Sequence, residues 1–306
     1  ETLKAKGAVF GEIFGWERAK WFDPNQEGEQ YSFKRNNSFN AVAAECKAVR
    51  EHAGLLDLSS FAKFDIQGED ATSFLNRLCA NRIPKKAGGI SLVHLLTDLG
   101  GIECEGTVAR LSKDVFYFLS AAVAEIHDED WLDQQRLPGE RVEISNVTDD
   151  YGVLVLTGPR SRDILKQLTD ADLSNEAFPW LRCQEIEVAG IPTRALRVSY
   201  VGELGWELHH PMERMQELYD QLHEAGTSQG LRDFGTYAVN SLRMEKAYKA
   251  WGGELTTEIT PVEADLLRFV DFSKSFTGRE ATLARKLQST AMQLVYLSLD
   301  SPETDC

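Results

Sequence analysis

The chain is poor in what most direct assignments require. Positive charge is short: 33 Lys and Arg stand against 48 Asp and Glu, a formal net charge of −15 over 306 residues. A field of that sign repels phosphate backbones and anionic headgroups. Nucleic acid and membrane surfaces are therefore excluded as main partners, and an anionic ligand would need its own cluster of Arg or Lys. Cysteine is sparse and scattered: Cys46, Cys79, Cys104, Cys183 and Cys306 form no CxxC and no Cys/His set at metal-ligand spacing. They read as reduced, mostly buried thiols of a reducing compartment, and no metal is expected. The six histidines contain no HExxH, and the His209-His210 pair reads as strand surface. No apolar run reaches the roughly 18 residues of a membrane helix, and no secretory leader is visible. Neither GxGxxG behind a strand nor GxxxxGK[ST] occurs, so a dinucleotide domain or a phosphate loop is not supported.

What is present is an ordinary soluble composition, 42% hydrophobic and 26% charged, in a chain long enough for two layers or two subdomains. Residues 1–40 read as a packed extended arm, with Gly7-Ala8-Val9-Phe10-Gly11-Glu12 and Gly15-Trp16-Glu17-Arg18. Its aromatics must bury against this domain or against a neighbour. Helical spacing of Val42, Cys46, Val49 and Ala53 predicts a helix over 40–53 closed by Gly54. Strands follow over 55–66 around a turn at 57–60, then a helix over 70–78 and a hairpin of 90–96 and 102–111 about Asp98-Leu99-Gly100-Gly101. A strand over 115–119 and an acidic helix over 121–135 complete a first round. The second round has strands over 141–146 and 152–157, a helix over 160–168, strands over 185–188 and 193–200, and a helix over 212–225. A last long helix covers 237–250, and 292–299 resembles an opening strand. Two similar rounds, about 40–140 and 141–250, predict an α+β pseudo-repeat.

The densest functional signal is Ser199-Tyr200-Val201-Gly202-Glu203-Leu204-Gly205-Trp206-Glu207-Leu208. Read as a hairpin, it sets Tyr200 at the end of one strand and Glu207 on the next. Trp206 and Leu208 then share one face, Glu207 and His209 the other. Such a pair suits a flat, amide-bearing ring that lies on the tyrosine and donates two parallel hydrogen bonds to the carboxylate. The local pattern alone favours an ordinary hairpin with a solvated glutamate.

Four stretches in order carry a resemblance: Ser59 to Phe64, Gly100 to Val108, Tyr200 to Glu207, and Phe234-Gly235-Thr236-Tyr237 through Leu242 to Lys246 and on to Trp251-Gly252. Together they resemble the folate-binding, glycine-cleavage T-protein (aminomethyltransferase-like) half of dimethylglycine and sarcosine dehydrogenases. The opening arm resembles the segment after the flavin domain of those enzymes. The resemblance spans about Gly7 to Lys286. It implies a pseudo-symmetric α+β fold around a central folate cavity, followed by a small β-barrel. The corresponding division is an arm at 1–40 after an absent FAD-carrying domain, a folate-binding domain at 41–285, and the start of a truncated barrel at 286–306.

The resemblance also implies roles. Glu207 would hold the pterin edge of tetrahydrofolate, Tyr200 would line the pocket, and Glu105 would be the catalytic carboxylate. Glu105 is one methylene longer than the commoner Asp. Gly106 replaces a bulky apolar residue, which could leave room for that longer side chain. Without the resemblance, Glu105 reads as a solvated strand residue beside Glu103. Arg243 would support the site or meet folate carboxylates, against the alternative of a salt bridge to Glu245 or another acid. Trp251 borders the expected cavity and is counted with the folate-binding residues, against the alternative of a core position. The implied function is to accept the iminium or formaldehyde released by an oxidase domain, forming 5,10-methylenetetrahydrofolate. Alternatives are a folate-binding module without catalysis, and the folate domain of another demethylase such as a trimethylamine-oxide-demethylase-type protein. The expected setting is bacterial cytoplasm or mitochondrial matrix, with an oligomer possible, and the Met-less start at Glu1 predicts a leader or domain upstream.

Overall fold

The computed structural model describes residues 1–13, 15–25, 27–288, 292–298 and 300. A helical turn, α1 (Thr2–Ala5), precedes a hairpin of β1 (Ala8–Ile13) and β2 (Trp16–Phe22). The first round is α2 (Phe39–Glu51), β3 (Ala53–Asp57), β4 (Ala62–Gln67), α3 (Ala71–Leu78), β5 (Ile90–Leu96), β6 (Ile102–Arg110), β7 (Val115–Ser120) and α4 (Glu125–Gln134). The second is β8 (Glu143–Asn146), β9 (Tyr151–Thr157), α5 (Ser161–Leu165), β10 (Cys183–Val188), β11 (Ile191–Leu196), β12 (Gly205–Pro211) and α6 (Met215–Gly226). Then come β13 (Leu231–Asp233), α7 (Thr236–Glu245) and α8 (Arg279–Leu287).

The order ββαβββα thus occurs twice, from β3 to α4 and from β8 to α6, as the pseudo-repeat predicts. Each copy builds its own sheet, in the order β5-β6-β7-β4-β8 for one and β10-β11-β12-β9-β3-β13 for the other. The leading strands are exchanged: β3 pairs antiparallel with β9 of the second copy, and β8 with β4 of the first. Neither sheet is complete without a strand from the other half, so the two copies are locked into one body.

One face of each sheet is sealed by its own helices. Phe64 and Ile66 of β4, Phe116 and Phe118 of β7, and Phe74, Leu75 and Leu78 of α3 form one buried cluster. Leu154 and Leu156 of β9, Trp206 and Leu208 of β12, and Leu218 and Leu222 of α6 form its counterpart. Period-two alternation turns the remaining residues of these strands to the opposite faces. There the sheets meet each other: Ala109, Tyr117 and Leu119 pack with Cys183 and Leu196. Further along the second sheet, Val155 packs with Val49 of α2 and Ala238 and Leu242 of α7.

Several expectations are corrected. Gly54 does not end α2; it lies in β3, where an added Cβ would stand 2.6 Å from Val49 and 2.7 Å from Phe234. Its lack of a side chain lets Val49 of α2 and the Phe234 ring pack directly on β3. The helix expected to reach Ala250 stops at Glu245, because Ala247 takes φ of +54° and the chain doubles back to bond Tyr248 N–H to the Arg243 carbonyl. Residues 292–298 form no strand, and Leu299 lies outside the described residues. The arm divides its aromatics: Trp21 is fully buried, whereas Tyr31 and Phe33 are exposed.

Candidate functional site

Strand β12 carries Glu207 between two registers, opposite Leu196 on β11 and Val155 on β9. Leu196 belongs to the cluster between the sheets and Val155 to the cluster under α2 and α7. Glu207 therefore sits where one packing region gives way to the other, and its side chain keeps 16% exposure. The alternation read from sequence holds: Trp206 and Leu208 are buried in the helix-covered core, and Glu207 and His209 share the opposite face. The histidine pair does not lie on the surface. His209 is 2% exposed because the first sheet covers its side of β12, and His210, on the other face, is fully buried beside Met215 of α6. Tyr117 of β7 supplies the cover over His209, its hydroxyl 3.1 Å from His209 Nδ1.

The segment before β12 departs from the hairpin reading. Strand β11 ends at Leu196, and residues 197–204 form an irregular connection. Arg197 pairs its backbone with Leu181 and Arg182, and Leu204 turns its carbonyl to Gly158 N–H and the Thr157 and Ser161 hydroxyls. Tyr200 lies in this connection rather than at a strand end. Its hydroxyl donates to the Lys249 carbonyl at 2.7 Å, and its ring stacks on Tyr248 with centroids 6.2 Å apart. Burial raises the Tyr200 hydroxyl pKa, Arg243 opposes the shift, and Glu105 and Glu254 add to it. The tyrosine thus stays protonated, and Glu105 lies within its electrostatic reach.

Glu105 stands on the face of β6 that also carries Ala109 toward the second sheet. It is directly paired with His94 on β5, and His94 Nε2 lies 2.8 Å from Glu105 Oε2. His94 is fully buried and its Nδ1 has no partner. The carboxylate can only accept, so Nε2 carries the proton and donates to it. Glu105 is therefore oriented by a buried donor, not solvated as local pattern alone suggests. Gly106 does not make room for it. Alternation sends the two residues to opposite faces, and the space above Gly106 is taken by the Phe118 ring, 2.5 Å from an added Cβ. The longer side chain is accommodated by its pairing with His94.

Arg243, on α7, is engaged within the fold. Its Nη1 donates to the Tyr248 carbonyl at 2.9 Å and to Glu254 at 3.0 Å, and its Nε to Asn240 at 2.9 Å. The acid it meets is Glu254, not Glu245. Glu254 also accepts from Ala250 N–H. Arg243 thus braces the segment that carries Tyr248 and Lys249, and through them Tyr200. Trp251 packs against the cluster of Leu255, Leu266 and Ile102, with its ring 6.0 Å from His127. His127 bridges Glu103 and Asp128, each at 2.9 Å.

The structure thus brings Glu105 within electrostatic reach of Tyr200, and sets Glu207 on the face of β12 that is turned to the first sheet. Sequence reasoning missed His94, and it placed His209 on the face of Glu207 but read it as strand surface. The cross-strand pairing that gives His94 its meaning depends on register, which the sequence of one strand does not carry. Among the described residues no group of three or more His, Cys, Asp or Glu is arranged to hold a metal, and no helix is long and apolar enough to cross a membrane.

Comparison with known proteins agrees with this architecture. Mouse mitochondrial dimethylglycine dehydrogenase is 41% identical over 310 residues, covering 100% of this chain and 35% of that protein. An aminomethyltransferase of Thermoanaerobacter is 33% identical over 259 residues, 84% of this chain and 70% of that protein. Mouse mitochondrial sarcosine dehydrogenase is 32% identical over 98% of this chain and 37% of its own length. The chain therefore spans about a third of the two dehydrogenases it matches. The crystal structure of the glycine cleavage system aminomethyltransferase T from Bartonella henselae superposes with a TM-score of 0.78 at 24% identity, over 92% of this chain and 72% of that one. The GCVT N-terminal domain model matches residues 1–274, and the chain belongs to that family.

Proposed function

We propose that this chain is the tetrahydrofolate-binding part of an N-methyl amine dehydrogenase of dimethylglycine or sarcosine type. It would accept the one-carbon unit released by a flavin-bearing oxidase domain and form 5,10-methylenetetrahydrofolate. The observation that carries this reading is the pair of histidine-oriented carboxylates, one from each sheet, on the inner side of a T-protein fold. Glu207 suits the donor edge of a pterin, because an ionised carboxylate can accept two parallel N–H bonds. Tyr200 offers an aromatic face that is 38% exposed. Arg243 serves by bracing Tyr248 and Lys249 beneath Tyr200 instead of meeting folate carboxylates.

Glu105 carries the chemistry. When formaldehyde and tetrahydrofolate condense, two C–N bonds form, both folate N–H protons are lost, and the carbonyl oxygen leaves as water. Glu105 would take the proton of the first attacking nitrogen and give it to the hydroxyl as that leaves; the proton that first converts the oxygen to a hydroxyl comes from solvent and is replaced by the one the second nitrogen loses on closing the ring, so nothing changes on the protein. The negative carboxylate would also stabilise the cationic iminium present after water leaves and before the ring closes. His94 fixes the carboxylate's orientation through Nε2–H. Holding both reactants beside Glu105 would supply the proximity term.

The test is the rate of methylenetetrahydrofolate formation from formaldehyde and tetrahydrofolate, with and without the protein. Acceleration that falls by roughly two to four orders of magnitude in Glu105→Ala is expected, the range for a general acid–base group. Tetrahydrofolate binding with equal rates for wild type and Glu105→Ala would leave a binding module without catalysis.

A further inference from the structure

Behind Glu207 lies a chain of buried polar contacts that the chemistry assigned to Glu105 does not use. Tyr117 Oη is 3.1 Å from His209 Nδ1, and His209 Nε2 is 3.4 Å from Glu207 Oε2. Tyr117 is fully buried and His209 is 2% exposed. The three residues come from two sequence regions and from both sheets: Tyr117 from β7, and Glu207 and His209 from β12. Their protons can be assigned. Burial raises the Tyr117 hydroxyl pKa well above its usual range, with Arg194 opposing, so the phenol keeps its proton. Burial lowers the pKa of His209, and Lys63 of β4 and Arg194 of β11 add to that effect, while Glu207 opposes it. The imidazole is therefore neutral. The Glu207 carboxylate beside Nε2 can only accept, so the one proton sits on Nε2, which leaves Nδ1 to accept from the Tyr117 hydroxyl.

We infer that His209 is a positioning residue for Glu207: Tyr117 fixes the imidazole tautomer, and the imidazole N–H fixes the carboxylate that receives the ligand. The inference rests on the folate reading given above. The contact engages Oε2, so Oε1 and the second lone pair of Oε2 remain for two parallel donors on a flat heterocycle. In an unbraced glutamate the carboxylate would sample several rotamers, and ligand binding would have to order them. The relay removes that requirement. It also makes the site selective for ligands that donate at this edge, because a ligand that accepts there meets an ionised, already oriented carboxylate.

The experiment has two independent readouts in the full-length protein. The first is the 15N spectrum of the His209 imidazole without ligand. The Nε2–H neutral tautomer is expected at pH 7, and Tyr117→Phe should shift it toward a mixture of tautomers. An Nδ1–H tautomer or an imidazolium in the wild type would overturn the proposal. The second is tetrahydrofolate affinity in His209→Leu, His209→Gln and Tyr117→Phe. His209→Leu should weaken binding roughly tenfold, the cost of one hydrogen bond to a charged group. His209→Gln, which can place an amide N–H near the Nε2 position, should recover most of that loss. Tyr117→Phe removes only a hydroxyl, so it carries the test even if His209→Leu fails to fold. Binding that Glu207→Gln abolishes but that His209→Leu and Tyr117→Phe leave unchanged would overturn the relay alone. A folded wild type that does not bind tetrahydrofolate would overturn the folate reading, and the relay with it.

Discussion

Glu105 and Glu207 are both strand residues with an adjacent or alternate histidine as partner, yet their partners arise differently. His209 is two positions along the same strand, so alternation puts it on the face of Glu207 automatically. His94 faces Glu105 only because β5 and β6 pair in one register. That difference explains what could be read in advance. The placement of Trp206, Glu207 and His209 was legible from alternation, whereas the orienting role of His94 was not. Arg243 was legible as a residue with two readings, and the tertiary turn at Ala247 decides for the internal one by bringing Glu254 back to it. Truncation of Arg243 to alanine should therefore act mainly through stability. It strands Glu254 and the Tyr248 carbonyl, at a cost of about 1–3 kcal/mol. Urea unfolding checks this, and an unchanged midpoint with weakened ligand binding would instead favour direct contact with a ligand.

At the level of elements, the two glycines of the β5–β6 turn have different tasks. Gly100 takes φ of +85°, a conformation the turn itself requires. Gly101 has no such φ, but an added Cβ would stand 1.8 Å from the Thr257 carbonyl oxygen. It lets the 251–259 segment lie directly on the hairpin that carries Glu105. Gly101→Ala should push that segment away, lowering stability by about 1–3 kcal/mol, the range for overpacking, and loosening Trp251. Tryptophan fluorescence and denaturant unfolding measure both effects. The sequence marked the glycine pair as a turn, but the close approach depends on residues more than 150 positions later.

The docking of the arm has its own pH signature. Glu45 of α2 accepts Phe22 N–H at 2.7 Å and Gly235 N–H at 2.9 Å, tying β2 to the start of α7. Burial raises its carboxyl pKa to about 7, and the two backbone donors oppose the shift without cancelling it. The folded state thus holds this proton more tightly than the unfolded chain, whose pKa is near the ordinary value of 4.5. Its stabilising effect is full below about pH 4.5 and is lost as pH rises through 7. Melting temperature should fall across that window, and Glu45→Gln should flatten the slope. An equally steep slope in the variant would contradict the assignment.

For the molecule as a whole, the exchange of β3 and β8 is the feature with the widest consequence. The duplicated order of elements was readable because hydrophobic period and turn residues repeat in both halves. The exchange was not, because pairing partners about 80 residues apart for β4 and β8 and about 100 for β3 and β9 leave no local pattern. It makes the two halves one folding unit, so the inner faces that carry Glu105 and Glu207 are held in fixed relation. A shared ligand site formed by both halves is the central claim. Calorimetric titration with tetrahydrofolate under anaerobic, reducing conditions, beside Glu207→Ala, tests it most directly. The account predicts saturable binding by the wild type and a loss of about 1–3 kcal/mol or more in the variant. Equal binding by the two proteins would contradict it.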